Sequence, residues 1–291
     1  MKTLQNEYLS IQIAERGAEL CSIVCNDKEY LWQADPKFWG RHSPVLFPIV
    51  GKVWDDVYTV EGKNYPLSQH GFARDMDFEL VSQSATEVTY RLMSTEETLK
   101  KYPFPFLLEI TYRLTGKTIE VVWKVENISS SELHFQIGAH PAFVYQDFDV
   151  QTNERGYFAF DKPKGLRYVC PVEKGCVSAE EHLLALNEDG LMPIHTGTFD
   201  CDTYIFENSQ LGKIVLLDRK KQPVVSLQFN TPLVALWSPT KAHPDCPFVC
   251  IEPWYGRADR ISYQGEYKDK DWMQHLEADK TFIGGYSITI A

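Results

Sequence analysis

Residues 119–125 read Ile119-Glu120-Val121-Val122-Trp123-Lys124-Val125, with apolar side chains at 119, 121, 123 and 125 and charges at 120 and 124. Successive side chains of a strand point to opposite faces, so this period of two predicts a strand with one buried and one wet face. The same alternation sets Leu9, Ile11 and Ile13 against Ser10 and Gln12. Further β-type runs cover 88–92, 107–114, 133–139, 213–217, 224–229, 233–237, 248–251 and 286–290. Asn26-Asp27, Glu61-Gly62-Lys63, Thr115-Gly116-Lys117 and Gln210-Leu211-Gly212 separate such runs, as hairpin connections do. Helical spacing is confined to 96–102, closed by Pro103, and to 179–186 and 271–276. Strands do not alternate with long helices, which argues against a doubly wound parallel sheet or a barrel of strands and helices. No internal repeat marks a propeller or solenoid. The expectation is an all-β protein, a large antiparallel β-sandwich with a few short helices. No low-complexity linker divides the chain, so residues 1–291 are expected to form a single domain.

Hydrophobic residues make up 44% of the 291 and charged ones 24%, which supplies ample core and excludes disordered, collagen-like and coiled-coil readings. Forty acidic against 29 basic residues give a net charge of −11; that charge repels a phosphate backbone, and no nucleic-acid partner is expected. The seven cysteines are odd in number and too sparse for a disulfide-stapled secreted module, which fits a reducing compartment. The first residues, Met1 to Tyr8, are polar where an export signal is apolar. No run approaches the roughly 18 apolar residues of a spanning helix. A cytoplasmic protein without a membrane partner is expected.

Three segments carry chemistry. In Gln69-His70-Gly71-Phe72-Ala73-Arg74 a glycine permits a tight backbone beside a histidine and an arginine; either these bind a polar ligand, or they are a solvated surface loop. In the run from His134 to Phe143, an unbroken strand places His134, Gln136 and His140 on one face, and Pro141 ends the ladder because it has no backbone donor. The histidines either serve function at the strand end or bond to neighbouring loops. In Pro247-Phe248-Val249-Cys250-Ile251-Glu252-Pro253-Trp254 a carboxylate ends an apolar strand. Loss of hydration there raises its pKa and makes it a stronger base, with Trp254 as a platform for a sugar ring; the alternative is a glutamate pointing into water. Signatures of serine hydrolases, phosphate-binding loops and zinc proteases are missing. The spacings Cys21/Cys25 and Cys246/Cys250 read as small buried strand residues more readily than as a zinc site, and no His-x-His pair occurs. No catalytic metal is expected.

Taken in order, these segments resemble the aldose 1-epimerase (galactose mutarotase-like) family, in its LacX-like branch. The resemblance extends to Gly-Ala-Glu-Leu-Cys-Ser-Ile from Gly17, Glu29-Tyr30-Leu31-Trp32, Phe38-Trp39, the run from Pro44 to Gly51, and the segment from Asp202 to Phe206. It implies a β-supersandwich and cofactor-free interconversion of the α and β anomers of a hexose or hexose 6-phosphate. By motif position it implies Glu252 as general base, His140 as general acid, His70 as a substrate-binding histidine and Asp202 as a partner of sugar hydroxyls, with Asp200 competing for that last role. The Asn-Arg sugar-binding pair of galactose mutarotases is replaced here by Leu-Phe-Pro-Ile-Val-Gly. Arg74 instead resembles the arginine of the branch acting on hexose 6-phosphates, with Arg41 and Lys52 as possible helpers in gripping a phosphate through paired donors; Arg41 reads equally as a surface ion-pair partner. The expected partner is thus a small-molecule sugar or sugar phosphate. The competing readings are a non-catalytic carbohydrate-binding or regulatory protein on the same fold, and a lyase or hydrolase on a related sandwich.

Overall fold

In the hairpin Phe106–Thr115/Thr118–Asn127, Ile119, Val121, Trp123 and Val125 are buried while Glu120 is exposed. Its antiparallel register sets Ile110 opposite Trp123 and Leu108 opposite Val125, so large apolar side chains meet across the strands on the inward face. The computed structural model describes residues 1–291. In it this hairpin belongs to a nine-stranded antiparallel sheet with the spatial order Met192–His195, Glu154–Phe160, Lys213–Leu217, Pro223–Phe229, Thr281–Ile290, Thr118–Asn127, Phe106–Thr115, Glu87–Met93, Glu79–Gln83. A second sheet runs Thr203–Phe206, Leu233–Trp237, Phe248–Tyr255, Ile137–Ala139, Val45–Leu46, with Ala142–Val144 added against Phe248–Tyr255. A four-stranded sheet spans Lys2–Gln5 to Lys28–Glu29.

The two large sheets share one core. Trp123 meets Tyr255 with ring centroids 6.4 Å apart, Tyr255 meets Phe282 at 5.0 Å, and Phe160 meets Phe206 at 5.8 Å. The buried cluster runs from Leu4 to Ile290; at about 1.5–3 kcal/mol for each large apolar side chain taken from water, it is the dominant stabilising term. Alternation along Phe248–Tyr255 sorts function from packing. Val249 and Ile251 enter the intersheet core, whereas Phe248, Cys250, Glu252 and Trp254 point to the other face.

The strand does not end at Glu252, as the sequence suggested, but continues through Pro253 to Tyr255. The Ile251 N–H donates to Pro141 O at 3.3 Å, and Pro253, two residues on, turns the same way toward Ala139, whose carbonyl accepts instead from the Trp254 indole N–H. A missing donor costs little there.

Other expectations need correction. Only Glu96–Leu99 of 96–102 is helical, opened by Thr95, whose side chain accepts from the Thr98 N–H while Thr98 Oγ1 accepts from the Thr95 N–H. Neither 179–186 nor 271–276 is a helix: the first contains the strand His182–Leu183, the second the strand Gln274–Leu276, paired with Leu133–Phe135. Windows this short lack intrinsic helical stability, so pairing with a distant strand wins. Gln210-Leu211-Gly212 crosses between the two large sheets and is not a hairpin. The run 133–139 is divided at Gln136. That fully buried amide accepts from the Val50 N–H at 3.2 Å and donates to Asp271 O at 3.0 Å, and satisfying a buried amide takes precedence over straight pairing. His134 and His140 therefore do not share a face. No helix is long and apolar enough to cross a membrane.

Candidate active site

The outward face of the six-stranded sheet, with loops from the first third of the chain, encloses a cavity of about 370 Å³, within the range of small-molecule sites. Glu252 and Trp254 come from the central strand, Trp237 from its neighbour, and Thr203 and Ile205 from the edge strand. Glu252, His140, His70, Arg74, Arg41, Asp202 and Trp254 all line this space. Lys52 and Asp200 do not: Lys52 pairs with Asp56 at 3.0 Å, and Asp200 is exposed outside it.

Backbone geometry places His70. His70 and Gly71 are both left-handed, with φ of 65° and 70°. A Cβ on Gly71 would lie 2.2 Å from Phe47 O, so only glycine lets the loop lie against that backbone. The Gly51 N–H donates to His70 Nδ1 at 3.1 Å, which fixes the proton of a neutral ring on Nε2, 3.3 Å from the Gln69 side-chain amide. Trp254 is placed by Gly138, where a Cβ would come within 2.6 Å of its ring; its indole N–H donates to Ala139 O at 3.2 Å. With its ring packed there, Trp254 is 4% exposed, while Trp39 and Trp237 are half-buried and offer a ligand more of their faces.

His140 Nε2 lies 3.3 Å from Glu252 Oε2. Glu252 is 1% exposed; its Oε2 and His140 Nδ1 have no hydrogen-bond partner. Trp39 stacks on the His140 ring at 4.6 Å, while Trp237 and His70 meet it edge-on at 5.3 and 5.6 Å. Burial, then the charge of Asp202, pushes the Glu252 carboxyl well above its ordinary range. Burial, then the Arg74 guanidinium, lowers His140 to about 3. Burial and the facing His140, Arg74 and Arg41 likewise hold His70 well below its ordinary value. Removing charge from water drives both members of the pair toward their neutral forms. The neutral pair holds as many protons as a Glu252 carboxylate facing a His140 imidazolium, so one transfer across 3.3 Å creates a base and an acid together.

Near these groups, Arg41 and Arg74 share Asp75, at 2.9 and 3.8 Å. Arg74 donates to Gln69 O at 2.7 Å, and its Nε, the atom 3.8 Å from Asp75, is buried without a hydrogen-bond partner. Burial and the neighbouring Arg41 lower Arg74 to about 10. Asp75 offsets part of the charge of the two guanidiniums, which leaves paired donors suited to an anion. Asp202 accepts from the Thr203 hydroxyl at 2.8 Å and is exposed to the cavity, available to further hydroxyls.

Trp39, Gln69 and Trp237 also line the cavity, unassigned from the sequence. Phe38-Trp39 stood out as a pattern, but nothing along the chain signals that a Trp39 ring stacks on a histidine 101 positions away.

Three clusters have metal-ligating atoms within 4.8 Å of one another: Glu19/Cys21/His42, Glu132/His134/His275 and His140/Cys250/Glu252. In the first, burial pulls His42 down, but contacts with Cys21 and Glu19 outweigh it and hold the ring at about 9; a protonated imidazole is no ligand. In the third, burial raises both Cys250 and Glu252, which disfavours the deprotonated forms a metal needs. All seven cysteines are free.

Comparison with known proteins bears on this site. Residues 1–270 match the sequence family described as aldose 1-epimerase. The plasmid-encoded protein LacX of Lactococcus lactis subsp. lactis is 29% identical over 99% of this chain and 98% of its own. A galactose mutarotase related enzyme from Lactobacillus acidophilus superposes with a TM-score of 0.91 at 34% identity, over 100% of this chain and 97% of the other. A galactose mutarotase-like protein from Lactobacillus casei ATCC 334 superposes with a TM-score of 0.93 at 31% identity, over 100% of both chains. With the family match running through the strands that hold the cavity, the chain belongs to the aldose 1-epimerase family.

Proposed function

We propose that the protein is a mutarotase that interconverts the α and β anomers of a hexose, with a hexose 6-phosphate as the preferred substrate. The observation that carries this reading is the buried Glu252/His140 pair, 3.3 Å apart with unpartnered atoms, beside the Nε2–H of His70. In the forward step Glu252, as carboxylate, takes the proton from the C1 hydroxyl while His140 protonates the ring oxygen, and His70 donates a hydrogen bond to that oxygen. The C1–ring-oxygen bond breaks and C1 becomes a carbonyl. Rotation about C1–C2 then exposes the other carbonyl face, and closure runs the same transfers in reverse, so both groups return to their starting forms. Groups positioned in this way contribute about 10²–10⁴-fold each.

The preference for a phosphate rests on Arg41 and Arg74. Paired guanidinium donors suit phosphate oxygens, and a dianion beside them offsets the positive charges that help depress His140, easing its protonation. Polarimetry of freshly dissolved α-glucose, α-galactose and their 6-phosphates tests the reading. Approach to anomeric equilibrium faster than the spontaneous rate, greatest with a phosphorylated sugar, is expected. Saturable sugar binding with no acceleration would instead support a non-catalytic carbohydrate-binding role.

A further inference from the structure

His134 drew attention in the sequence but lies outside the sugar cavity. The break at Gln136 leaves it on the ribbon Leu133–Phe135/Gln274–Leu276, directly opposite His275. Opposed residues of an antiparallel pair share a face, and Glu132, two positions before His134, turns to the same side. Glu132 Oε2 is accordingly 3.6 Å from His134 Nδ1 and 3.5 Å from His275 Nδ1, and all three donor atoms lie within 4.8 Å of one another. Ligands held at ~2.0–2.1 Å around one tetrahedral ion are roughly 3.3–3.4 Å apart. Glu132 and His275, each with a side chain 46% exposed, have room to rotate toward such a set.

Two further observations favour a ligand here. His134 is 8% exposed and its Nδ1 is buried without a hydrogen-bond partner, a costly state for a polar atom unless something occupies that position. The adjoining cavity carries three carboxylates, Glu61, Glu132 and Glu266, against the single ammonium of Lys268, so its charge favours a cation.

We propose that Glu132, His134 and His275 form a binding site for a divalent first-row transition ion of the imidazole-preferring kind, such as zinc, cobalt or nickel, with water completing the coordination. The donor set of two imidazoles and a carboxylate suits those ions and not magnesium or calcium, which take oxygen ligands. Because the ligands come from both strands, the ion staples a ribbon of only three residue pairs. Binding to the folded chain alone raises its stability.

The test is calorimetric titration of the EDTA-treated protein with cobalt(II) chloride, together with the absorption spectrum and the melting temperature. We expect saturation at one ion per chain, a spectrum without a thiolate-to-metal charge-transfer band, and a melting temperature raised by excess cobalt. His275→Ala and Glu132→Gln, both at exposed side chains, should each weaken binding at least about 10-fold, the lower bound of what even an outer partner of a metal ligand costs, and should remove the thermal shift. His182→Ala, in a separate histidine–glutamate pair, should leave both unchanged. Lack of one-site saturation, a charge-transfer band from the free cysteines, or unaltered binding in both Glu132→Gln and His275→Ala would each overturn the proposal.

Discussion

At the scale of single residues, Glu252 and His140 share one physical history: burial disfavours charge on either, and each leaves an unpartnered atom in the site. Such atoms cost stability in the folded protein. Arg74 separates the substrate classes. A hydrogen bond to a charged group contributes about 1.5–3 kcal/mol, so Arg74→Gln should lower kcat/KM for a hexose 6-phosphate by roughly 10- to 100-fold. The free hexose, which has no dianion to lose, should change far less. Steady-state anomer exchange on both sugars checks this; an equal loss on both would mean that Arg74 shapes the cavity without gripping a phosphate.

At the scale of elements, the central strand Phe248–Tyr255 works because its neighbour Ile137–Ala139 carries a glycine beneath Trp254. Gly138→Ala puts a Cβ within 2.6 Å of that ring, and overpacking of this kind costs typically about 1–3 kcal/mol. Denaturant unfolding should show that loss together with reduced activity, since Trp254 and Glu252 are two residues apart on the same face. Thr95→Ala removes a helix cap far from the cavity; it should cost about 1 kcal/mol and leave anomer exchange unchanged. The long strands were legible because Ile119 to Val125 and its counterparts alternate without interruption. Gln274–Leu276 was not, because its conformation is decided by Leu133–Phe135, over 130 residues away, and not by its own spacing. Gln136 shows the same limit: the partners that break the strand, Val50 and Asp271, are visible only once the chain has folded.

At the scale of the whole molecule, the polar cluster of the site sets a pH profile for stability. His140 falls from 6.5 to about 3 on folding, and His70 falls as well. Below pH ~6.5 the unfolded chain binds protons at these rings that the folded chain does not, so stability is full above that pH and is lost as pH falls below it, for His140 down to about 3, by up to about 1.4 kcal/mol per pH unit for each ring. Glu252 has the opposite sign: its raised pKa stabilises the fold fully below the ordinary carboxyl value, and that contribution is lost as pH rises through the raised one. Unfolding free energies measured across pH should show a flatter acid limb in His140→Asn and a flatter alkaline limb in Glu252→Gln. The candidate site was legible to a similar depth as the fold. His70, Arg74, His140, Asp202 and Glu252 converge on one cavity from segments spread over more than 180 residues, and all but Asp202, which the family resemblance alone singled out with Asp200 as its rival, stood in a distinctive local pattern. Phe38-Trp39 stood out only as part of the family resemblance and Trp237 not at all, because their contacts with the His140 ring, one stacked and one edge-on, are products of the tertiary fold. The most direct measurement is two-dimensional exchange NMR between the α and β anomers of glucose 6-phosphate, with the wild-type protein beside Glu252→Gln. Exchange well above the spontaneous rate in the wild type, cut by about 10²–10⁴-fold in the variant, is predicted; equal rates in the two proteins would contradict the assignment of Glu252 as the base.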